Sequence, residues 1–285
     1  MTKAVTDVEH IEELRELART ARQHIVRTIH KAGAGHLGGP LSAVDILTAL
    51  YFDVMNVNPD NPSWEDRDRF VLSKGHSAIA LYTVLAMRGF FPVAELDTFD
   101  AMDSRLQGHP DMKLLPGVDM STGSLGQGIS AAVGMALGAK LQGRKFRVFC
   151  LIGDGESQEG QVWEAADIAA KYGLDNLVVI MDFNKLQQFG WGKGSLRASP
   201  VANPKERWAA FGWNVGVVND GNDIAELLAA LHTPAAPGRP SIWIAHTVKG
   251  KGVRFMENDY VWHAKVPSLQ ELNDALVELG GTPCI

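Results

Sequence analysis

The sequence lacks the features of several large protein classes. It has two cysteines in 285 residues, Cys150 and Cys284. Two cysteines exclude both a disulfide framework and a CxxC metal site, which fits a reducing cytoplasm. No run of lysine and arginine is present, and the formal net charge is −6. This charge balance argues against a surface that binds nucleic acid. We therefore expect a cytoplasmic protein without a nucleic-acid partner.

Long apolar runs are also absent. The longest uncharged stretch, residues 121–139, is interrupted by five glycines and makes a poor membrane span. Residues 1–16 are charged and lack the apolar segment of a secretory signal. We expect no membrane association. With 46% hydrophobic residues and no linker or repeat, the chain can bury a large core, and we predict one domain over residues 1–285.

Helical and extended patterns alternate along the chain. Apolar residues recur at helical spacing from Ile11 to Ile29, and the glycine-rich stretch 33–40 is predicted to end this helix before Ser42 opens the next, through about residue 55. Buried strands are predicted at 69–73, 147–152, 176–183, 213–218 and 241–248. Further helices are predicted at 79–87, 121–141, 162–170, 204–211, 224–232 (capped by Asp220 or Asn222) and 269–279. This alternation indicates an α/β fold, a mostly parallel central sheet with helices on both faces.

Two strand ends carry the most informative polar residues. The strand at 147–152 stops at Gly153-Asp154-Gly155, and the strand at 176–183 stops at Asn184. The spacing of 184 − 154 = 30 residues fits one strand-helix-strand unit, so both side chains would reach one edge of the sheet. Gly-Asp-Gly alone is a common turn. A carboxylate and an amide oxygen beside glycine amides suit Mg²⁺ that carries a diphosphate.

Glycine-preceded histidines form a second pattern. His36, His76 and His109 each follow a glycine in a separate loop, and His76 precedes a predicted helix, where amide groups favour an anion. A single loop histidine is usually only solvated, but three such histidines in separate loops favour a functional role over chance. Lys249, in Lys-Gly-Lys-Gly after the last strand, is a candidate phosphate contact.

The body of the helix predicted at 121–141, residues 129–139, is small or apolar on all sides, and the helix at 162–170 is rich in alanine. Gly134 and Gly138 lie one turn apart and would permit close packing of another helix. A helix of this composition must be covered on every side, either by its own chain or by another protein. The sequence leaves both explanations open.

Together these segments resemble one family. The matching stretches are GHLGGPLS, DRFVLSKGHSAIALY, GHP, STGSLGQGIS, GDGESQEGQVWEA, LDNLVVIMDFN and MENDYVWHAK. Their order and approximate spacing are similar to those of the N-terminal, diphosphate-binding domain of transketolase, over nearly the whole chain. The resemblance implies the thiamine diphosphate-binding fold. It also implies thiamine diphosphate as cofactor with Mg²⁺, which Ca²⁺ or Mn²⁺ can replace.

The resemblance also implies roles for individual residues. The implied metal ligands are Asp154, Asn184 and the backbone carbonyl of Leu186. The implied cofactor contacts are His76, Gly123, Ser124, Leu125, Gly155, Asn184, Lys249 and His263. The implied catalytic residues are His36, His109 and His263, which would bond to the hydroxyl and carbonyl oxygens of the sugar. Two positions depart from the pattern, since Ala264 replaces the usual glycine and Ser124 the proline of many members.

The implied reaction transfers a two-carbon ketol unit from a ketose phosphate to an aldose, with carbanion chemistry supplied by the cofactor. Histidines with pKa values near neutrality would serve the proton transfers. Full-length transketolases continue into a pyrimidine-binding domain, which supplies an activating glutamate, and a third domain. Neither has a counterpart here. We therefore expect either one half of a split enzyme, which would form a heterotetramer of two copies each with a C-terminal partner subunit, or a truncated chain.

Two alternatives stay open. A related thiamine diphosphate enzyme, such as a deoxyxylulose-phosphate synthase or a 2-oxo acid dehydrogenase component, would keep Gly-Asp-Gly and Asn but lacks the Ser-Lys-Gly-His and Gly-His-Pro segments found here. A non-catalytic assembly or regulatory subunit would retain only a cofactor site. The presence of Asp154, Asn184 and all four histidines weighs against such a loss of activity.

Overall fold

A five-stranded parallel sheet forms the centre of the fold. The computed structural model describes residues 7–187 and 203–284. The strands are β1 (Arg69–Leu72), β2 (Val148–Gly153), β3 (Leu177–Phe183), β4 (Asn214–Val218) and β5 (Ser241–His246). Their order is β1-β2-β3-β5-β4, and every pairing is parallel. All five strands were predicted from their apolar runs.

Helices cover both faces of this sheet, as predicted. They are α1 (Val8–Ala32), α2 (Gly38–Ala49), α3 (Ala78–Arg88), α4 (Gly128–Leu141), α5 (Gly160–Lys171), α6 (Pro204–Ala210), α7 (Ile224–Leu231) and α8 (Leu269–Glu278). Alternate residues of the strands enter two separate cores. Phe149 and Leu151 of β2 pack with α1, α2, α3, α7 and α8, whereas Cys150 and Ile152 pack with α4, α5 and α6. The period-two alternation of a strand explains this division.

The first two helices meet at the glycine-rich segment. Gly33 ends α1 in the left-handed conformation, with a φ of 68°, as the sequence predicted. The prediction that Ser42 opens the second helix is wrong, because α2 begins at Gly38 and contains Pro40 in its first turn. Proline is tolerated there, since the first turn needs no amide donor. A short π-helical segment, Leu50–Val54, then extends α2 close to its predicted end.

The start of α4 and the cap of α7 also differ from expectation, whereas α7 and α8 begin at the predicted residues. Residues 121–127 form a loop, and α4 begins only at Gly128. The cap of α7 is Asp223, whose side chain accepts from the Glu226 amide at 3.0 Å, and not Asp220 or Asn222. Ser268 and Glu271 form a reciprocal capping box at the start of α8. These local hydrogen bonds depend on backbone geometry that composition does not specify.

One face of α4 and α5 remains open in the described chain. Gly134 and Gly138 have no atom within 4 Å of the position that a Cβ would take. Leu141 at the end of α4 is 80% exposed, and Ile168 on α5 and Tyr172 directly after it are also exposed. The described residues therefore do not cover α4 on every side. Among the described residues, no helix has the length and apolar character that crossing a bilayer would require.

Candidate functional site

The carboxyl ends of β2 and β3 bring the predicted metal ligands together. Gly153 of β2 is in register with Asp182 of β3, so the residues that follow each strand are neighbours. The Asp154 carboxylate accepts hydrogen bonds from the Gly155 amide at 2.8 Å and the Lys185 amide at 2.7 Å. Since Lys185 directly follows Asn184, the acidic and amide side chains occupy one edge of the sheet, as the 30-residue spacing predicted.

Asp154 is buried without a cationic partner. Only 4% of the residue is exposed. Burial, followed by the charge of Asp182, raises the pKa of Asp154 to about 6. No ion pair links it to a lysine or arginine in the described ranges. An ionised carboxylate in such surroundings is costly, and a divalent cation would offset the cost.

Asn184 and Leu186 supply two further oxygen atoms. The side-chain oxygen of Asn184 accepts from the Leu186 amide at 3.0 Å, and the Leu186 carbonyl accepts from Lys249 Nζ at 3.2 Å. Within residues 7–187 and 203–284, this site included, no three His, Cys, Asp or Glu side chains converge to hold a metal by themselves. Mg²⁺ is usually held by one or two carboxylates together with phosphate oxygens. The donor set fits a metal bound jointly with a diphosphate.

Lys249 provides the matching positive charge. The residue is 2% exposed, and its Nζ lies 2.9 Å from His263 Nδ1. Burial, with Lys74 as the next cause, lowers the pKa of Lys249 to about 8. In the described chain this ammonium forms no ion pair with a carboxylate. A buried cation that lacks an anionic partner fits an anion such as the cofactor diphosphate.

The four predicted histidines converge. The ring centroid of His36 lies 5.2 Å from that of His76, 6.1 Å from that of His109 and 5.1 Å from that of His263. Burial is the main cause that lowers the pKa of His36 to about 4 and that of His263 to about 3. The expectation of pKa values near neutrality is wrong for these two side chains. They are neutral imidazoles at pH 7, each with one donor and one acceptor nitrogen.

The loop containing Gly123 passes close to this group. Gly123 has a φ of 150°, and a Cβ added there would lie 2.8 Å from the His109 ring. Only glycine adopts this backbone conformation readily while allowing the ring to approach. The position therefore requires glycine for both backbone and packing reasons.

A single cavity of about 460 Å³ joins these groups. Its lining includes His36, His76, His109, Gly123, Leu125, Asp154, Gly155, Asn184, Leu186, Lys249 and His263. Ser124 is exposed and is not part of the lining, so its side chain is the one predicted contact that lies outside. The strand-end, histidine and lysine patterns, which are far apart in the sequence, thus describe one site.

Sequence reasoning missed two buried carboxylates at this site. Asp182 forms an ion pair with Lys74. Glu156 accepts from Ser73 Oγ at 2.5 Å and from the amides of Gly126 and Gly153 at 2.9 Å each. It therefore joins three loops that surround the cavity. The sequence feature that could have predicted the first of these networks is Asp182 itself, because a charged residue inside an apolar strand needs a buried partner.

An aromatic side chain holds the loop after β2. The indole nitrogen of Trp163 on α5 donates to the Ser157 carbonyl at 2.8 Å. The ring lies 4.8 Å from that of Trp208, and the Arg207 guanidinium lies 3.8 Å from its centroid. Trp163 therefore connects the Gly-Asp-Gly loop to the core beneath α5.

Comparison with known proteins identifies the family to which the chain is similar. A family model described as "Transketolase, thiamine diphosphate binding domain" matches residues 14–283. The chain is 43% identical over 252 residues to the 6-deoxy-6-sulfo-D-fructose transketolase subunit SqwG of Clostridium sp. (strain MSTE9), covering 88% of this chain and 90% of that protein. It is 40% identical over 270 residues to an apulose-4-phosphate transketolase subunit of Phocaeicola vulgatus, covering 94% of each.

Solved structures give the same result at the level of the fold. The crystal structure of transketolase from Campylobacter jejuni superposes with a TM-score of 0.88 at 33% identity. The match covers 95% of this chain but only 43% of the transketolase chain. The predicted α/β class is confirmed by this likeness.

Proposed function

This chain belongs to the transketolase family, whose thiamine diphosphate-binding domain it matches, and from that premise we propose that it is the N-terminal subunit of a two-chain transketolase. The observation that carries the proposal is the cavity in which an unpaired carboxylate, Asp154, and an unpaired ammonium, Lys249, accompany four histidines. Opposite unpaired charges suit a ligand that contains both a metal cation and a diphosphate.

In this proposal Mg²⁺ is held by Asp154, Asn184 and the carbonyl of Leu186. Lys249, His76 and Gly155 contact the diphosphate, and the loop Gly123-Ser124-Leu125 lies against the cofactor rings. Bound thiamine diphosphate supplies an electron sink for breaking and forming carbon-carbon bonds. The chain itself contributes orientation, charge and exclusion of water.

His36, His109 and His263 are the proposed contacts of the sugar. As neutral imidazoles, His36 and His263 donate to hydroxyl or carbonyl oxygens and accept from hydroxyl protons without adding charge to the channel. The substrate class is a ketose phosphate donor with an aldose acceptor, in the pentose phosphate route or another sugar pathway. The free state of Cys150 and Cys284 is compatible with a reducing cytoplasm.

We further propose that residues 1–285 act as one cofactor-binding domain. A partner chain would carry the pyrimidine-binding domain, its activating glutamate and the third domain. Two observations support a partner. Proteins of nearly the same length are named as transketolase subunits. On and directly after α4 and α5, the large hydrophobic residues Leu141, Ile168 and Tyr172 are exposed. Two copies of each chain would form a heterotetramer.

The test is reconstitution. The purified chain is mixed with a C-terminal transketolase subunit from the same organism, thiamine diphosphate and Mg²⁺, and ketol transfer between sugar phosphates is followed. We expect activity only in the mixture, and tight cofactor binding in calorimetry with the partner present. Full turnover by the chain alone would refute the two-chain proposal, whereas absence of cofactor binding in the mixture would refute the cofactor site.

A further inference from the structure

Asp182 is the most completely buried carboxylate at the site. Its exposure is 0%, and it lies near the carboxyl end of β3, two residues before Asn184. One carboxylate oxygen accepts from Lys74 Nζ and from Ser42 Oγ at 2.7 Å. The other accepts from Thr247 Oγ. Side chains from α2, the loop after β1 and the loop after β5 thus converge on a single residue.

The same carboxylate also contacts the amide of Asn184. Asn184 Nδ2 donates to Asp182 Oδ2 at 3.3 Å and lies 3.5 Å from Ser42 Oγ. An ionised carboxylate only accepts hydrogen bonds, so it selects the NH₂ end of the amide. The Asn184 oxygen is thereby turned away from Asp182, where it accepts from the Leu186 amide at 3.0 Å. With the opposite orientation, two oxygen atoms would face each other.

We propose that Asp182 is a positioning residue that fixes the amide of Asn184 with its oxygen available to the metal, while Lys74 balances the charge of Asp182. This inference rests on the proposed function, because it concerns the cation of the same site. Partners that orient metal ligands contribute strongly to metal affinity, and their loss commonly costs about 10- to 100-fold. Asp182 would act only through Asn184 and would not touch the cation.

A purely structural ion pair is the competing explanation. If Lys74 and Asp182 serve only to join α2, β1 and β3, then any well-packed replacement of the pair should preserve metal binding. Buried ion pairs are often replaced by apolar residues without loss of stability. The two explanations therefore differ in metal affinity and not in stability.

Two matched double variants distinguish the positioning role of Asp182 from a purely structural ion pair. Lys74→Met/Asp182→Asn removes both charges but keeps an oxygen that accepts from Asn184. Lys74→Met/Asp182→Leu removes both charges and the acceptor. Any contribution of Lys74 to diphosphate binding is lost equally in both, so it cancels from the comparison. Thr247→Val is the control for the network as a whole, since Thr247 contacts the oxygen that does not bond to Asn184.

The measurement is Mn²⁺ binding to the full chain with its partner and thiamine diphosphate, followed by the electron paramagnetic resonance signal of free Mn²⁺. We expect the leucine variant to bind Mn²⁺ about 10- to 100-fold more weakly than the asparagine variant. Thr247→Val should remain close to the parent protein. Thermal unfolding of the ligand-free variants should give similar midpoints for both doubles.

Equal Mn²⁺ affinities in the two doubles would overturn the positioning role while leaving the proposed function intact. If the parent protein itself bound no Mn²⁺, the proposed function would fail first. Should the leucine variant not fold, Lys74→Met/Asp182→Val repeats the comparison with a β-branched residue suited to a strand.

Discussion

Buried charges are treated differently in two regions of this molecule. Away from the cavity they are paired, as in Arg22 with Asp45, and Arg67 with Asp119 at 2.5 Å. At the carboxyl edge of the sheet, Asp154, Glu156 and Lys249 are buried, and none of them forms an ion pair within the described part of the chain. Lys74 with Asp182 is the exception at this edge.

The presence or absence of an ion pair therefore distinguishes buried charges that stabilise the fold from buried charges that are available to bind a ligand. A paired buried charge is neutralised within the chain, so removing one partner leaves the other charge buried without compensation and destabilises the fold. An unpaired buried charge already destabilises the free protein, so its removal should relieve the fold and abolish binding. The two regions should therefore respond in opposite directions to the same type of substitution.

The largest effect should follow from Asp154→Asn. Loss of the carboxylate should weaken Mg²⁺-dependent binding of thiamine diphosphate by at least about 100-fold, because the metal loses its only charged protein ligand. Calorimetry of the complex with its partner measures the affinity. Asp167→Asn, on the exposed side of α5, is the matched control and should bind as the parent does. Unchanged binding in Asp154→Asn would contradict the view that the unpaired buried charges serve ligand binding.

Asp45→Asn should have a comparably large effect, on stability instead of on binding. Without the Asp45 charge, the buried Arg22 guanidinium has no ion partner, which should lower the free energy of unfolding by about 3–5 kcal/mol. Urea denaturation monitored by circular dichroism measures the loss. Cofactor affinity of the folded protein should not change. Stability equal to that of the parent would contradict the assignment of this pair to the fold.

The stability gap between Asp154→Asn and the parent should depend on pH. Because the pKa of Asp154 is raised to about 6, the folded protein holds this proton more tightly than the unfolded chain does. Ionisation therefore destabilises the folded state progressively from about pH 4 to pH 6, by on the order of 2–3 kcal/mol in total. At pH 7.5 without ligand, the variant should be the more stable protein by that amount.

The difference in the free energy of unfolding between Asp154→Asn and the parent should become smaller as the pH falls through 6 towards 4. The low pKa values of His36 and His263 affect both proteins equally and cancel from the difference. Urea unfolding at a series of pH values measures this difference in the free energy of unfolding. A difference that stays constant from pH 5 to 7.5 would contradict the raised pKa of Asp154. Mg²⁺ with thiamine diphosphate should reverse the order at pH 7.5 by stabilising only the parent.

Lys249→Met should give the smallest of these effects. Removal of the ammonium should weaken binding of the cofactor with Mg²⁺ by about tenfold, the contribution of one charge-assisted hydrogen bond. Lys251→Met, in the same loop but outside the cavity lining, is the control. We expect the free energy of unfolding to rise in Lys249→Met. A decrease would show that Lys249 stabilises the fold, and would contradict its place among the charges that serve only ligand binding.

Most of the fold followed from the sequence, because buried parallel strands are short apolar runs and their helices have a strong period. The exception at α2 arose where Gly38 and Pro40 were interpreted as breakers, although both are compatible with a first turn. The two strand-end residues and the four histidines were predicted, and the structure places them at one cavity. Their roles towards metal, cofactor and sugar remain predictions.

The internal partners of these residues did not follow from the sequence. Lys74 and Asp182 are separated by 108 residues, and Ser73 and Glu156 by 83. Spacing predicts which residues reach the edge of a sheet, but it does not predict which side chains from other loops meet them there. That information appears only in the folded chain, where α2 and the loops after β1 and β5 meet at the end of β3.

The contact between Trp163 and the Ser157 carbonyl has a practical consequence. Indole emission responds to changes in hydrogen bonding and nearby charge, and this ring is attached to the loop that follows Asp154. Any rearrangement of that loop as a ligand enters should alter the ultraviolet fluorescence of the native protein. The molecule therefore contains its own optical reporter, which allows the titrations described above to be followed without a dye or label.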